Sequence, residues 1–126
     1  MSDEPGLLKR RIDSIVFAGR GVVVFFRTQF HAWVHLLATV VVVAAGLWFP
    51  VSAGEWALLA LAIGLVWTAE ALNSAVEFTV DLASPEYHDV AGKAKDVAAA
   101  AVLLAAVTAI AVACCVFGPR IHQLLS

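Results

Sequence analysis

Residues Trp56 to Leu82 read WALLALAIGLVWTAEALNSAVEFTVDL, an apolar segment interrupted only in its second half, by Glu70, Asn73, Glu77 and Asp81. Roughly 20 apolar residues suffice to cross the hydrocarbon core of a bilayer, so this stretch reads as a transmembrane helix with length to spare. At about 100° per residue, with Glu70 as zero, Asn73 falls near −60°, Ser74 near +40°, Glu77 near −20° and Asp81 near +20°. All five share one face. An ionisable side chain within a span costs about 3 kcal/mol on insertion scales, so it points inward to a partner, a cation or a water-filled cavity.

Working outward, His31 to Phe49 (HAWVHLLATVVVVAAGLWF) is a first span without a formal charge, joined to the second by a turn containing Pro50, Ser52 and Gly54. After the second span comes the polar connection SPEYHDVAGKAK. Asp96 then reads as the cap of a third span, Val97 to Phe117, which Gly118 and Pro119 end. Upstream, Leu7 to Phe30 is amphipathic. Leu8, Ile12, Ile15, Val16, Val22, Val23 and Phe26 lie on one face; Lys9, Arg10, Asp13, Arg20 and Arg27 lie on the other, with Gly19 and Gly21 weakening its middle. Such a helix lies in the membrane interface with its basic side toward the headgroups. Met1 to Gly6 reads as a disordered leader, and no cleavable signal segment precedes the first span, which must itself direct insertion. The expected fold is therefore an all-α membrane protein of one domain: surface helix 7–30, spans 31–49, 56–82 and 97–117, and a loop 84–96.

Composition agrees. Of 126 residues 62% are hydrophobic and 14% charged, and the mean hydropathy is +0.90, well outside the range of soluble domains. A net charge of −2, without basic runs interleaved with aromatics, excludes a nucleic-acid surface. Adjacent Cys114 and Cys115 point about 100° apart on a helix and read as small apolar fillers. Five Lys or Arg precede the first span, none lie in the first turn, two lie in the second loop and one follows the third span. The positive-inside rule then makes the N-terminus and second loop cytoplasmic and the C-terminus external; Trp33, Trp48 and Trp56 sit where an aromatic belt belongs.

The stripe reads as chemistry by depth. The first and third spans hold no Lys or Arg to pair with it, so its use as packing glue lacks partners. Glu70 and Glu77 are about 10.5 Å apart along the axis, too far to share one metal ion. Glu77 and Asp81 lie nearer the cytoplasmic boundary, and Glu70 deeper, where a lipid hydroxyl reaches. Lys93, Lys95 and the N-terminus of the third span suit phosphate oxygens. Together these fit phosphoryl transfer from a nucleotide to a membrane alcohol, with Mg²⁺ on one or two carboxylates. No P-loop or protein-kinase signature is present.

The run AEALNSAVEFTVDLASPEYHDVAGKAKDVAAAAVLL, Ala69 to Leu104, closely resembles the small bacterial diacylglycerol kinase and undecaprenol kinase family, whose hallmarks are E-x-x-N-[ST]-A-[IV]-E-x-x-x-D, S-x-E-Y-H and [KR]-A-K-D. The resemblance implies an Mg-ATP-dependent lipid kinase of the bacterial inner membrane, a homotrimer with sites between subunits. Carried over by position, Glu70 is the general base on the lipid hydroxyl, Asn73 orients lipid or phosphate, and Glu77 holds the metal on ATP. Lys95 and Asp96 serve the nucleotide, and Arg10 lies near the lipid. Lys95 as an interfacial anchor, Asp96 as a helix cap and Arg10 as a headgroup contact are the bland alternatives, and Tyr87 and His88 read as structural. The wording of SPEYH and KAKDVAAAAVLL resembles the undecaprenol branch more than the diacylglycerol branch. Gln29 departs from the pattern, standing where the family usually places a second metal-binding glutamate. Its amide oxygen can still bind Mg²⁺, but without charge, so the metal binds more weakly or recruits water, Asp13 or His31. Two other readings stay open: a non-catalytic lipid or nucleotide binder, and a structural protein whose stripe holds a trimer together.

Overall fold

A computed structural model describes residues 6–126. Four helices follow one another: α1 (Leu7–Thr28), α2 (Phe30–Trp48), α3 (Ala53–Ala83) and α4 (Asp89–Leu125). The last three are long and apolar enough to cross a membrane. The fold is thus an all-α membrane protein, with α3 and α4 packed as a long antiparallel hairpin. The disordered leader expected at the N-terminus falls almost wholly outside the described residues.

α1 runs unbroken through Gly19 and Gly21 and stops at Thr28. Gln29 is the single extended residue (φ −114°, ψ 110°) between α1 and α2. Trp33 Nε1 closes this joint by donating to the Phe26 carbonyl at 3.1 Å. The rings of Phe25 and Phe26 meet Trp67 of α3 at 6.0 and 5.6 Å.

At the opposite end, Ser52 and Glu55 form a reciprocal capping box that starts α3 at Ala53, three residues before the apolar run. Glu55 also receives both guanidinium nitrogens of Arg120 at 2.8 and 2.9 Å, and Arg120 donates to the carbonyls of Pro50 and Val116. The turn is thereby clamped to the end of α4. Beneath it Leu59, Val116 and Phe117 are buried against Phe49 and Trp56. Trp56 packs against Gly46, where a Cβ would stand 2.5 Å from its ring. Gly46→Ala must therefore displace the indole. Its expected cost is about 1–3 kcal/mol, as for other overpacked cores, read as a lower unfolding midpoint in detergent. Most other large apolar side chains are exposed on the single chain, as a lipid-facing surface requires.

Two expected boundaries are corrected. The third span does not begin at an Asp96 cap. α4 starts eight residues earlier, capped by His88, whose Nδ1 accepts from the Val90 amide at 3.2 Å. Alanine and lysine around Gly92 are good helix formers, and nothing before Asp96 breaks the helix. Nor do Gly118 and Pro119 end α4, which continues to Leu125. Pro119 removes only the hydrogen bond to the Cys115 carbonyl, and the Arg120 guanidinium stabilises the adjoining Val116 carbonyl. At 37 residues α4 is about 55 Å long, so span 97–117 is its apolar centre rather than its whole extent. Cys114 and Cys115 are free and exposed on the single chain.

Candidate functional site

The acidic stripe of α3 becomes two polar centres on one helix. Glu70 is 4% exposed, the only buried carboxylate among the described residues. Its Oε1 lies 2.6 Å from Nε2 of His35 on α2. The same two helices are tied again by Trp67 Nε1, which donates to Thr39 Oγ1 at 3.0 Å; that hydroxyl donates to the His35 carbonyl at 2.7 Å. Ser74, also buried, donates to the backbone carbonyl of Glu70. Sequence reasoning missed His35, which was read only as part of an uncharged span. The signal was available, since a titratable residue within a span carries the presumption of function.

One turn further, Asn73 Nδ2 donates to Glu77 Oε1 at 3.1 Å. Asn73 Oδ1 is buried and has no hydrogen-bond partner. An unpartnered buried acceptor beside a carboxylate forms a hard-oxygen pair, the donor type that Mg²⁺ takes. The residues present therefore fit a hard divalent cation such as Mg²⁺.

The His35–Glu70 contact also fixes the register of α2 against α3. Gln29 lies six residues from His35, about 9 Å, and Glu77 lies seven from Glu70, about 10.5 Å, in the same direction because the helices are antiparallel. Gln29 and Glu77 thus stand at one level. No group of three or more His, Cys, Asp or Glu gathers as a metal cage among the described residues.

Of the remaining expected residues, Lys95 pairs with Asp81 at 2.5 Å and Lys93 with Asp89 at 2.6 Å. Asp96 is exposed on the second turn of α4 and caps nothing. The helix N-terminus expected near Lys93 and Lys95 lies instead at Asp89, already occupied by that acid. Arg10 is exposed in the first turn of α1, about 22 Å along the helix from Phe25, which meets α3. His88 has the structural role expected of it, and Tyr87 is 91% exposed. Grooves of about 680 and 880 Å³ flank α3, the first against α1 beside Ser74, the second against α4 beside Asn73 and Lys93, both walled by apolar side chains.

The model of the prokaryotic diacylglycerol kinase family matches residues 16–117, which include both polar centres, all of α3 and most of α4. The chain belongs to that family of lipid kinases. It is 36% identical to an undecaprenol kinase of Bacillus subtilis over 119 residues, 94% of this chain and 97% of that one. It is 40% identical to a diacylglycerol kinase of Synechocystis over 113 residues, 89% of this chain and 65% of that one. To a diacylglycerol kinase of Escherichia coli it is 40% identical over 78 residues, 62% of this chain and 64% of that one. It therefore spans nearly all of the first relative and just under two thirds of each of the other two.

Proposed function

We propose that the chain transfers the γ-phosphoryl group of ATP to the hydroxyl of a membrane lipid alcohol at the cytoplasmic face, with undecaprenol the favoured acceptor and diacylglycerol the alternative. The observation that carries this reading is the division of the stripe: a buried carboxylate, Glu70, held apart from a hard-oxygen pair, Asn73 and Glu77, one to two turns nearer the Ser84–His88 end. The family and the orientation of the basic residues support it. Near end-to-end similarity to the undecaprenol kinase favours the polyprenol.

In this reading the lipid hydroxyl meets the Glu70 carboxylate, which accepts its proton as the oxygen attacks the γ-phosphorus and the bond to the ADP oxygen breaks. Glu77, the free oxygen of Asn73 and the Gln29 amide of a neighbouring subunit would hold magnesium. The ion supplies charge that shields the phosphates during in-line transfer. Lys95 exchanges Asp81 for a phosphate oxygen, Asp96 serves the nucleotide, and Arg10 meets the lipid near its headgroup. The flanking apolar grooves suit the lipid chain. The assembly is a homotrimer with its sites between subunits, which brings α1 and Gln29 of one copy to α3 of the next.

The test reconstitutes purified protein in vesicles with Mg-ATP and either undecaprenol or diacylglycerol, and follows phosphate transfer to each. Transfer to undecaprenol at the higher kcat/KM is expected; transfer to neither overturns the proposal. In the same assay Gln29→Glu restores a charge at the metal, so half-maximal rate should need severalfold less Mg²⁺. An unchanged requirement would mean position 29 does not touch the metal.

A further inference from the structure

Glu70 is paired not with a lysine or arginine but with a histidine from the neighbouring span. Resting on the kinase reading above, we propose that His35 is the positioning residue for Glu70: its Nε2–H holds Oε1, so that the carboxylate keeps one rotamer and presents Oε2 to the lipid hydroxyl.

The geometry suits that task. A carboxylate at 4% exposure has lost its hydration, and a glutamate side chain has three torsions with which to turn away. A charge-assisted hydrogen bond of 2.6 Å from a ring with two torsions compensates the first and removes the second. Among the described residues no other side chain bonds to this carboxylate. His35 is itself held on both sides. Its carbonyl accepts from Thr39, Thr39 accepts from Trp67, and the Trp67 ring meets the imidazole edge-on at 6.4 Å. Trp67 precedes Glu70 by one turn, so the ring that borders the imidazole and the carboxylate it bonds stand at neighbouring positions on α3. Nε2 is the atom used, which leaves Nδ1 as the ring's other polar position. The imidazole touches Glu70 rather than the reacting atoms, which separates its role from that of the base.

A structural tie between α2 and α3 would also use this bond, so the test must separate the two. Wild type, His35→Leu, His35→Gln and Thr39→Val are reconstituted with Mg-ATP and the lipid that the wild type phosphorylates; KM, kcat and unfolding midpoint are measured for each. Leucine removes the donor. Glutamine keeps an N–H within reach of Oε1. Misplacing a reacting group by about 1 Å can cost about 10²-fold in rate, so kcat of His35→Leu should fall by about that factor with KM for ATP unchanged. His35→Gln should recover most of the loss. Thr39→Val, which loses the Trp67 tie and the bond to the His35 carbonyl but leaves the imidazole in place, should lower the midpoint and cut kcat by far less than His35→Leu. The decisive arm adds His35→Leu to Glu70→Gln: with no carboxylate to position, the residual rate should not fall further.

Equal kcat in wild type and His35→Leu would overturn the proposal, as would equal losses in His35→Leu and His35→Gln, or an undiminished effect of His35→Leu in the Glu70→Gln background. If His35→Leu does not fold, the same comparison is read from His35→Asn, whose shorter amide should fall short of Oε1 and behave like leucine. A wild type that phosphorylates no lipid sinks the kinase reading and this inference with it. An active wild type indifferent to His35 sinks this inference alone.

Discussion

Glu70→Gln is expected to lower kcat by about 10²–10⁴-fold, the usual contribution of a positioned base, while KM for Mg-ATP stays near the wild-type value. Glutamine has the volume of glutamate and can still accept the His35 hydrogen bond through its amide oxygen, so packing at 4% exposure is preserved. What it cannot do is take the proton of the lipid hydroxyl. The separation of about 10.5 Å between this position and Glu77 is why nucleotide affinity should be spared. Initial rates against ATP in vesicles at saturating lipid check the split. A kcat within threefold of wild type would remove Glu70 from the chemistry, and a parallel rise in KM would move it to the nucleotide.

Glu77→Ala should act on the other half of the reaction. Groups that merely orient metal ligands cost about 10- to 100-fold when removed, so loss of a ligand should reduce kcat/KM for Mg-ATP by more than that and raise the Mg²⁺ requirement. The substitution also takes away the acceptor of Asn73 Nδ2, leaving both ends of that buried amide without partners. A fall in stability is therefore expected alongside the kinetic effect. Assembly, measured by size-exclusion chromatography with light scattering in detergent, distinguishes the causes. If the variant keeps the assembly of the wild type and loses Mg-ATP turnover, Glu77 serves the metal. If the wild-type assembly and turnover disappear together and excess Mg²⁺ recovers neither, the stripe is glue between subunits.

The helical spans and the shared face of Glu70, Asn73 and Glu77 were legible because both depend on local periodicity, apolar length in one case and 100° per residue in the other. What escaped was the set of partners. His35 carries no formal charge in a sequence count, and its meeting with Glu70 depends on the register of α2 against α3, which no spacing within either helix encodes. Glu55 was overlooked for a different reason. It lies outside the apolar run that was read as the span, and its pairing with Arg120 joins residues 65 positions apart. Asp96 was misread because aspartate is a common cap, although of the five residues before it only Gly92 disfavours a helix. The depth match of Gln29 and Glu77 is legible only once the His35–Glu70 contact supplies the register.

The single extended residue between α1 and α2 also sets a mechanical scale. α1 has 22 residues and is therefore about 33 Å long, so a change of about 10° at Gln29 carries its far end through about 6 Å. The brace against such a swing is the Phe26, Trp33 and Trp67 ring cluster together with one indole hydrogen bond. Gln29 therefore couples two properties in one position: it stands at the depth of Glu77, and it is the pivot of a lever whose tip bears Arg10. A backbone change there would alter the reach of the basic arm in proportion to its length, whatever the side chain itself contacts.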